Sequence, residues 1–219
     1  MPRLAAVLAA AALALAPLSA AALTVEKRFT VLFEGAQEVP PVASAATGSG
    51  TAALWSLGGG LYKLSYDLLF DDTLDFGAMI ADDGIGSHTD PNDVTRMHIH
   101  AAPRGVNGGV VYGLYNPLSD ASAPGPSAVN IAAVPGGFRV WGEWNDGDQV
   151  GADTISSRAP GLIALALGED APLYFNVHTL AFPAGEIRAQ LVSAPIPLPA
   201  AAPLLAVGLA ALLALRRRA

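Results

Sequence analysis

The sequence predicts an all-β domain, an antiparallel Greek-key-like sandwich or barrel, flanked by an N-terminal signal peptide and a C-terminal transmembrane sorting helix. Three observations predict it. Apolar residues in the central part recur with a period of two rather than 3.6. Turn signals separate the runs: Pro40-Pro41, Gly58-Gly59-Gly60, Gly108-Gly109, Pro135-Gly136-Gly137, Asp146-Gly147 and Pro183-Ala184-Gly185. The 23 glycines and 17 prolines are spread along the chain, as many short strands joined by turns require. No internal repeat of fixed period is present.

The strands follow in order. Phe29, Val31 and Phe33 alternate with Thr30, Leu32 and Glu34. Tyr62, Leu64, Tyr66 and Leu68 alternate with Lys63, Ser65 and Asp67, the clearest half-buried strand in the chain. Phe138, Val140 and Gly142 alternate with Arg139, Trp141 and Glu143, and Ile187, Ala189 and Leu191 with Glu186, Arg188 and Gln190. Gly161 to Leu167 reads either as a helix or as a buried strand. Asp71 to Asp93, with seven Asp residues, and Leu118 to Ala128, rich in Ser, Pro and Ala, read as long loops.

The two ends read as export and anchoring segments. Arg3, the apolar Leu4 to Leu18 and the small Ala20-Ala21-Ala22 form a signal peptide over residues 1–22. At the other end, Pro195, Pro197, Pro199 and Pro203 hold the chain extended ahead of an apolar run that closes on Arg216, Arg217 and Arg218. From Pro203 to Leu215 the run has 13 residues, or 16 counted from Ala200, against about 20 for a comfortable bilayer span. The arginines would stop transfer and stay cytoplasmic. Removal of both ends leaves a β domain over residues 23–193, long enough for one domain with a real core.

All 19 carboxylates but only 8 of the 12 basic residues fall in that domain, for a net charge of −11. Such a surface repels nucleic acid, so no nucleic-acid partner is expected. With no cysteine in the chain, export brings no disulfide. Gly-x-Ser-x-Gly, phosphate-cradling loops and cysteine nucleophiles are all missing, and the sequence names no catalytic residue.

Three constellations carry candidate chemistry. In Met97-His98-Ile99-His100, spacing of two puts both imidazoles on one strand face and Met97 and Ile99 on the other. With His178 from Asn176-Val177-His178-Thr179 they form either a three-histidine site for zinc or copper or a hydrogen-bonded histidine cluster partnered by Asn176 and carboxylates. Glu186, Arg188 and Gln190 share one face, where Arg188 either pairs with Glu186 or braces Glu38 or another carboxylate across the sheet. Asp82, Asp83, Asp90 and Asp93, then Asn145 to Asp148 with Asp153, offer oxygen ligands for calcium or simply solvated turns; the spacing is not that of an EF-hand. His88 carries no spacing argument and reads as an exposed side chain.

Two families are called up by these residues. Ile196-Pro197-Leu198-Pro199-Ala200, the apolar run and the arginines closely resemble the VPLPA-CTERM sorting signal of the PEP-CTERM type. That resemblance implies a Gram-negative bacterium and an exosortase-type enzyme acting on an inner-membrane precursor, so that the body reaches the cell surface or matrix. The body resembles a CHRD domain through Phe33-Glu34-Gly35-Ala36-Gln37-Glu38-Val39-Pro40-Pro41-Val42, Met97 to His100, Gly105 to Val111, Trp141-Gly142-Glu143-Trp144 and Tyr174 to Thr179. The closing Phe182-Pro183-Ala184-Gly185-Glu186-Ile187-Arg188-Ala189-Gln190-Leu191 completes it, with Ala189 where the family usually has Gly. The Asp71 to Asp93 segment has no clear counterpart there. This resemblance implies an all-β extracellular module without a defined activity. The expected protein is a non-enzymatic surface or matrix module, its partners a surface polysaccharide or another surface protein. A weaker similarity, His-x-His followed by a late Val-His, is to copper-zinc superoxide dismutases, whose full ligand set and disulfide are not visible here. The alternative expectation is a metal-binding protein or dismutase-like metalloenzyme.

Overall fold

The computed structural model describes residues 23–77, 90–115, 129–148 and 151–197. The signal peptide, Asp82, Asp83, His88, the Leu118 to Ala128 loop, Leu198, Pro199, Ala200 and Arg216 to Arg218 lie outside the described residues. Among the described residues, nine strands and one α-helix are laid down as β1 (Thr24–Glu34), β2 (Thr47–Gly58), β3 (Leu61–Asp71), β4 (Val94–Ala101), β5 (Gly109–Tyr115), β6 (Val129–Val134), β7 (Gly137–Asn145), α1 (Ile155–Ala164), β8 (Asp170–Thr179) and β9 (Ile187–Ala194). They form one antiparallel sheet in the order β5-β4-β8-β9-β1-β2-β3-β7-β6. The sheet curls until it nearly closes. Tyr112 of β5 stacks on Trp144 of β7, with centroids 5.4 Å apart, and its hydroxyl donates to the Glu143 carbonyl at 2.7 Å. Of the predicted all-β sandwich or barrel, the barrel is the form observed.

The period-two runs explain the inside. Phe29, Val31 and Phe33 of β1, Leu64, Tyr66 and Leu68 of β3, and Val140 and Trp144 of β7 are all buried, and Met97 and Ile99 of β4 join them. Phe33 packs edge-on to Phe70 at 4.8 Å and against Phe175 at 5.9 Å, so strands distant in sequence share one aromatic centre. Each such ring contributes about 1.5–3 kcal/mol by leaving water. The Asp-rich segment is only partly a surface loop, because Leu74 and Phe76 within it are fully buried in this core.

Two expectations are corrected here. The helix runs from Ile155 to Ala164 and not from Gly161 to Leu167. Thr154 caps its start by accepting from the Ser157 backbone N–H at 3.0 Å. Pro160 then sits inside the helix, and Ile155, Ala159 and Leu162 turn one buried stripe to the barrel. The second correction concerns β9, which reads as half-buried but is buried on both faces: Arg188 is 0% and Gln190 1% exposed. Its outward face, with those of β4 and β8, is roofed by residues 35–44 and 102–108. Asn107 donates to the Val39 carbonyl at 2.8 Å and Arg104 to Gln37 at 2.6 Å, tying the two roof segments together.

Candidate metal centre

Register brings the histidines together. His98 of β4 lies opposite Asn176 of β8, and His178 opposite Arg96, while Asn176 in turn lies opposite Arg188 of β9. Paired residues share a face, so His98, His100, Asn176, His178 and Arg188 all stand on the outward side, under the roof. The ligand nitrogens of His98, His100 and His178 lie within 4.8 Å of one another. Plane geometry then places a common point within about 2.8 Å of all three, close to the ~2.0–2.1 Å of a zinc–nitrogen bond. His100 Nε2 is 3.2 Å from His98 Nδ1, near the roughly 3.3 Å that separates two nitrogens on a tetrahedral zinc.

Backbone carbonyls fix the tautomers. His100 Nδ1 is 2.8 Å from the Gly108 oxygen and His178 Nδ1 is 3.1 Å from the Pro183 oxygen. A carbonyl can only accept, so each Nδ1 carries the proton and each Nε2 of the neutral rings keeps its lone pair. His178 Nε2 is buried and has no partner among the described residues. Gly108 is a glycine for a reason of space: a Cβ there would come within 2.1 Å of the Ala101 oxygen, so no other residue lets the loop approach His100 this closely.

The site favours neutral rings. Burial first, then the neighbouring His178, His100 and Arg96, push His98 down to about 3. Burial pushes His178 down to about 4, against the raising effect of the Pro183 carbonyl. His100 is also lowered, mainly by burial. Neutral imidazole is the metal-binding form.

A polar frame holds the cluster. Tyr174 stacks on His100 with centroids 4.8 Å apart and planes 5° from parallel, and the Arg188 guanidinium covers the Tyr174 ring at 3.4 Å. Arg188 donates to the carbonyls of Val106 at 2.9 Å and Pro103 at 3.0 Å, and to Gln190 Oε1 at 3.0 Å. It therefore makes no ion pair with Glu186 or Glu38 among the described residues, contrary to expectation, and braces the roof instead. Glu186 accepts from Ser44 at 2.6 Å and Thr179 at 2.5 Å. Asn176 serves Glu38 at 2.5 Å, not a histidine. Glu38 is pushed up to about 7 by burial, opposed by Asn176 and the Arg188 charge.

The Asp constellation behaves differently. Asp93 Oδ2 accepts from the Asp90 N–H, Asp146 from Ser156, Asp148 from Asn145, and Asp153 pairs with Arg158. These carboxylates cap turns and the start of α1. Among the described residues, the three histidines are the one group of His and carboxylate side chains with ligand atoms so close together. Tyr174 was not visible as part of the site in the sequence, although Tyr174-x-Asn176-x-His178 already places it on the histidine face. The Gly108 and Pro183 carbonyls carry no residue-type signal at all.

Among known proteins, a family model described as the CHRD domain matches residues 29–191. No curated protein and no solved structure matches the chain.

Proposed function

The chain belongs to the CHRD-domain family, and we propose on that footing that it is an exported surface or matrix module whose functional centre is a three-histidine site for one zinc or copper ion. The family is typically extracellular and is not a known enzyme family. One observation carries the metal reading: backbone carbonyls hold two rings with Nε2 as the lone-pair nitrogen, and that of His178 is buried and unpartnered among the described residues. His98 Nδ1–H donates to His100 Nε2 across 3.2 Å. Moving that proton to His98 Nε2 frees the third nitrogen. The centre would serve binding or structural cohesion of the displayed module.

The tail supports display. Beyond β9 the exposed Pro195-Ile196-Pro197 continues without regular structure. Among the described residues no helix is long and apolar enough to cross a membrane. The start of β1 pairs with the end of β9, Arg28 opposite Ala194, so both flanking segments leave from one end of the barrel. Arg188, in the histidine row, is six residues back along β9, about 20 Å from that end. A body presented through its tail would carry the histidines away from the membrane. The sorting box Pro197-Leu198-Pro199-Ala200 would be read by an exosortase-type enzyme, and Pro199→Ala should then leave uncleaved precursor in the inner membrane. Normal surface release of that variant would overturn the sorting reading.

The metal reading is tested by thermal melts of the purified protein with zinc or copper. At a hundredfold excess over Kd, binding contributes about 2.7 kcal/mol. For a domain of this size that raises Tm by about 5–10 °C. The shift should vanish in His178→Ala. An unchanged Tm with both metals, or an equal shift in the variant, would overturn it.

A further inference from the structure

A second constellation lies on the outward face of β1, β2, β3 and β7. Thr51, Asp67 and Trp141 form one cross-strand row, Ala53, Ser65 and Glu143 the next, and Trp55, Lys63 and Asn145 the third. The two indoles thus stand at diagonal corners, two strands and four residues apart, roughly 16 Å between backbones. Between them runs an open groove of about 530 Å³. Both rings are preset. Trp55 Nε1 donates to Ser65 Oγ at 2.9 Å, which leans the indole into the groove, and the Arg139 guanidinium lies 4.8 Å from the centre of the Trp141 ring.

The charges on this face are largely spoken for. Arg139 grips Asp67 through two bonds of 2.8 and 2.7 Å, and Lys63 pairs with Glu143 at 2.5 Å. Arg28, which also lines the groove, has neither a hydrogen bond nor an ion pair among the described residues. The groove lining itself carries Arg28 against Asp67 and Glu143, but both carboxylates are held by Arg139 and Lys63, so Arg28 is the cation left for a ligand. An anionic group that most of this acidic surface repels meets an uncommitted counter-charge at Arg28. Flat indoles next to hydroxyl, amide and guanidinium groups suit a ligand with apolar faces and polar edges.

We propose that this groove binds an acidic polysaccharide, with pyranose faces stacked on Trp55 and Trp141 and a hexuronate carboxylate paired with Arg28. The site is separate from the histidines and does not depend on the metal reading.

The test is titration of the purified protein with oligogalacturonate, and with uncharged malto-oligosaccharide as comparator, followed by tryptophan fluorescence and calorimetry. Saturable binding of the hexuronate is expected, stronger than that of the neutral sugar and weakened by salt. Trp55→Ala, Trp141→Ala and Arg28→Gln should each reduce hexuronate affinity about tenfold. Trp141→Phe, which keeps a stacking face, should retain most of it. Melting curves of each variant show that loss of binding is not loss of fold. Absence of hexuronate binding, binding unaffected by the Trp changes, or equal affinity for the neutral sugar with no effect of Arg28→Gln would each overturn the proposal.

Discussion

Replacing Arg188 with Met tests whether the roof over the histidines is held by that one side chain. Arg188 is fully buried, and its guanidinium bridges the carbonyls of Pro103 and Val106 to Gln190 while covering Tyr174. Methionine fills much of the same volume, so the cavity contribution is small and the polar one is isolated. Two roof carbonyls lose their donor, at about 1–3 kcal/mol each. Relief from desolvating a charge without a carboxylate partner offsets part of this. The net expectation is a loss of about 3 kcal/mol. With a urea slope of about 2 kcal/mol/M, the unfolding midpoint falls by about 1.5 M. Arg188→Lys keeps the charge but cannot bridge both carbonyls, and should fall between parent and Met. The roof segment also carries Gly108, whose carbonyl orients His100, so zinc affinity should drop about tenfold or more in the Met variant. A midpoint change below roughly 0.3 M, or a full stability loss with unchanged zinc affinity, would refute the reasoning.

Other expectations follow from the same geometry. In the metal-free protein His98 and His178 titrate near 3 and 4 in the fold, below the ordinary histidine value of 6.5, so the unfolded chain takes up protons first. Their contribution is complete above pH 6.5 and is lost as pH falls toward those folded values; Glu38, raised to about 7, has the opposite sign and loses stability as pH rises from 4.5 through 7. Urea midpoints from pH 3.5 to 8 should therefore drop steeply on the acid side in the parent and less in His98→Asn; equal acid slopes would contradict this. Gly108→Ala puts a methyl 2.1 Å from the Ala101 oxygen, and should lower stability by about 1–3 kcal/mol and weaken zinc binding, as read by calorimetry; parent-like binding would show that the loop is not held as described.

Much of the inside was legible because strand side chains alternate. Phe29, Leu64, Val140 and Ile187 each mark a face that has to leave water, and each is in the core. The histidine face was legible on the same ground, since residues two apart share a side. The layer around it was not. Arg188 and Gln190 share a face with Glu186 in the sequence, yet nothing local announces the roof that residues 35–44 and 102–108 build over them. The position of α1 has a similar origin: the apolar run Gly161 to Leu167 draws attention to the helix's last turn, whereas its start is set by the cap at Thr154 and the stripe Ile155, Ala159 and Leu162. Strand order depends on which distant runs meet, and period-two patterns carry no partner information.

The central claim is that His98, His100 and His178 hold one metal ion. X-ray absorption at the metal edge of the purified, zinc- or copper-loaded protein tests it most directly. The account predicts one ion per chain with three imidazole nitrogens at about 2.0–2.1 Å, one fewer in His178→Ala. A shell of oxygen ligands only, or a parent spectrum unchanged by that substitution, would contradict it.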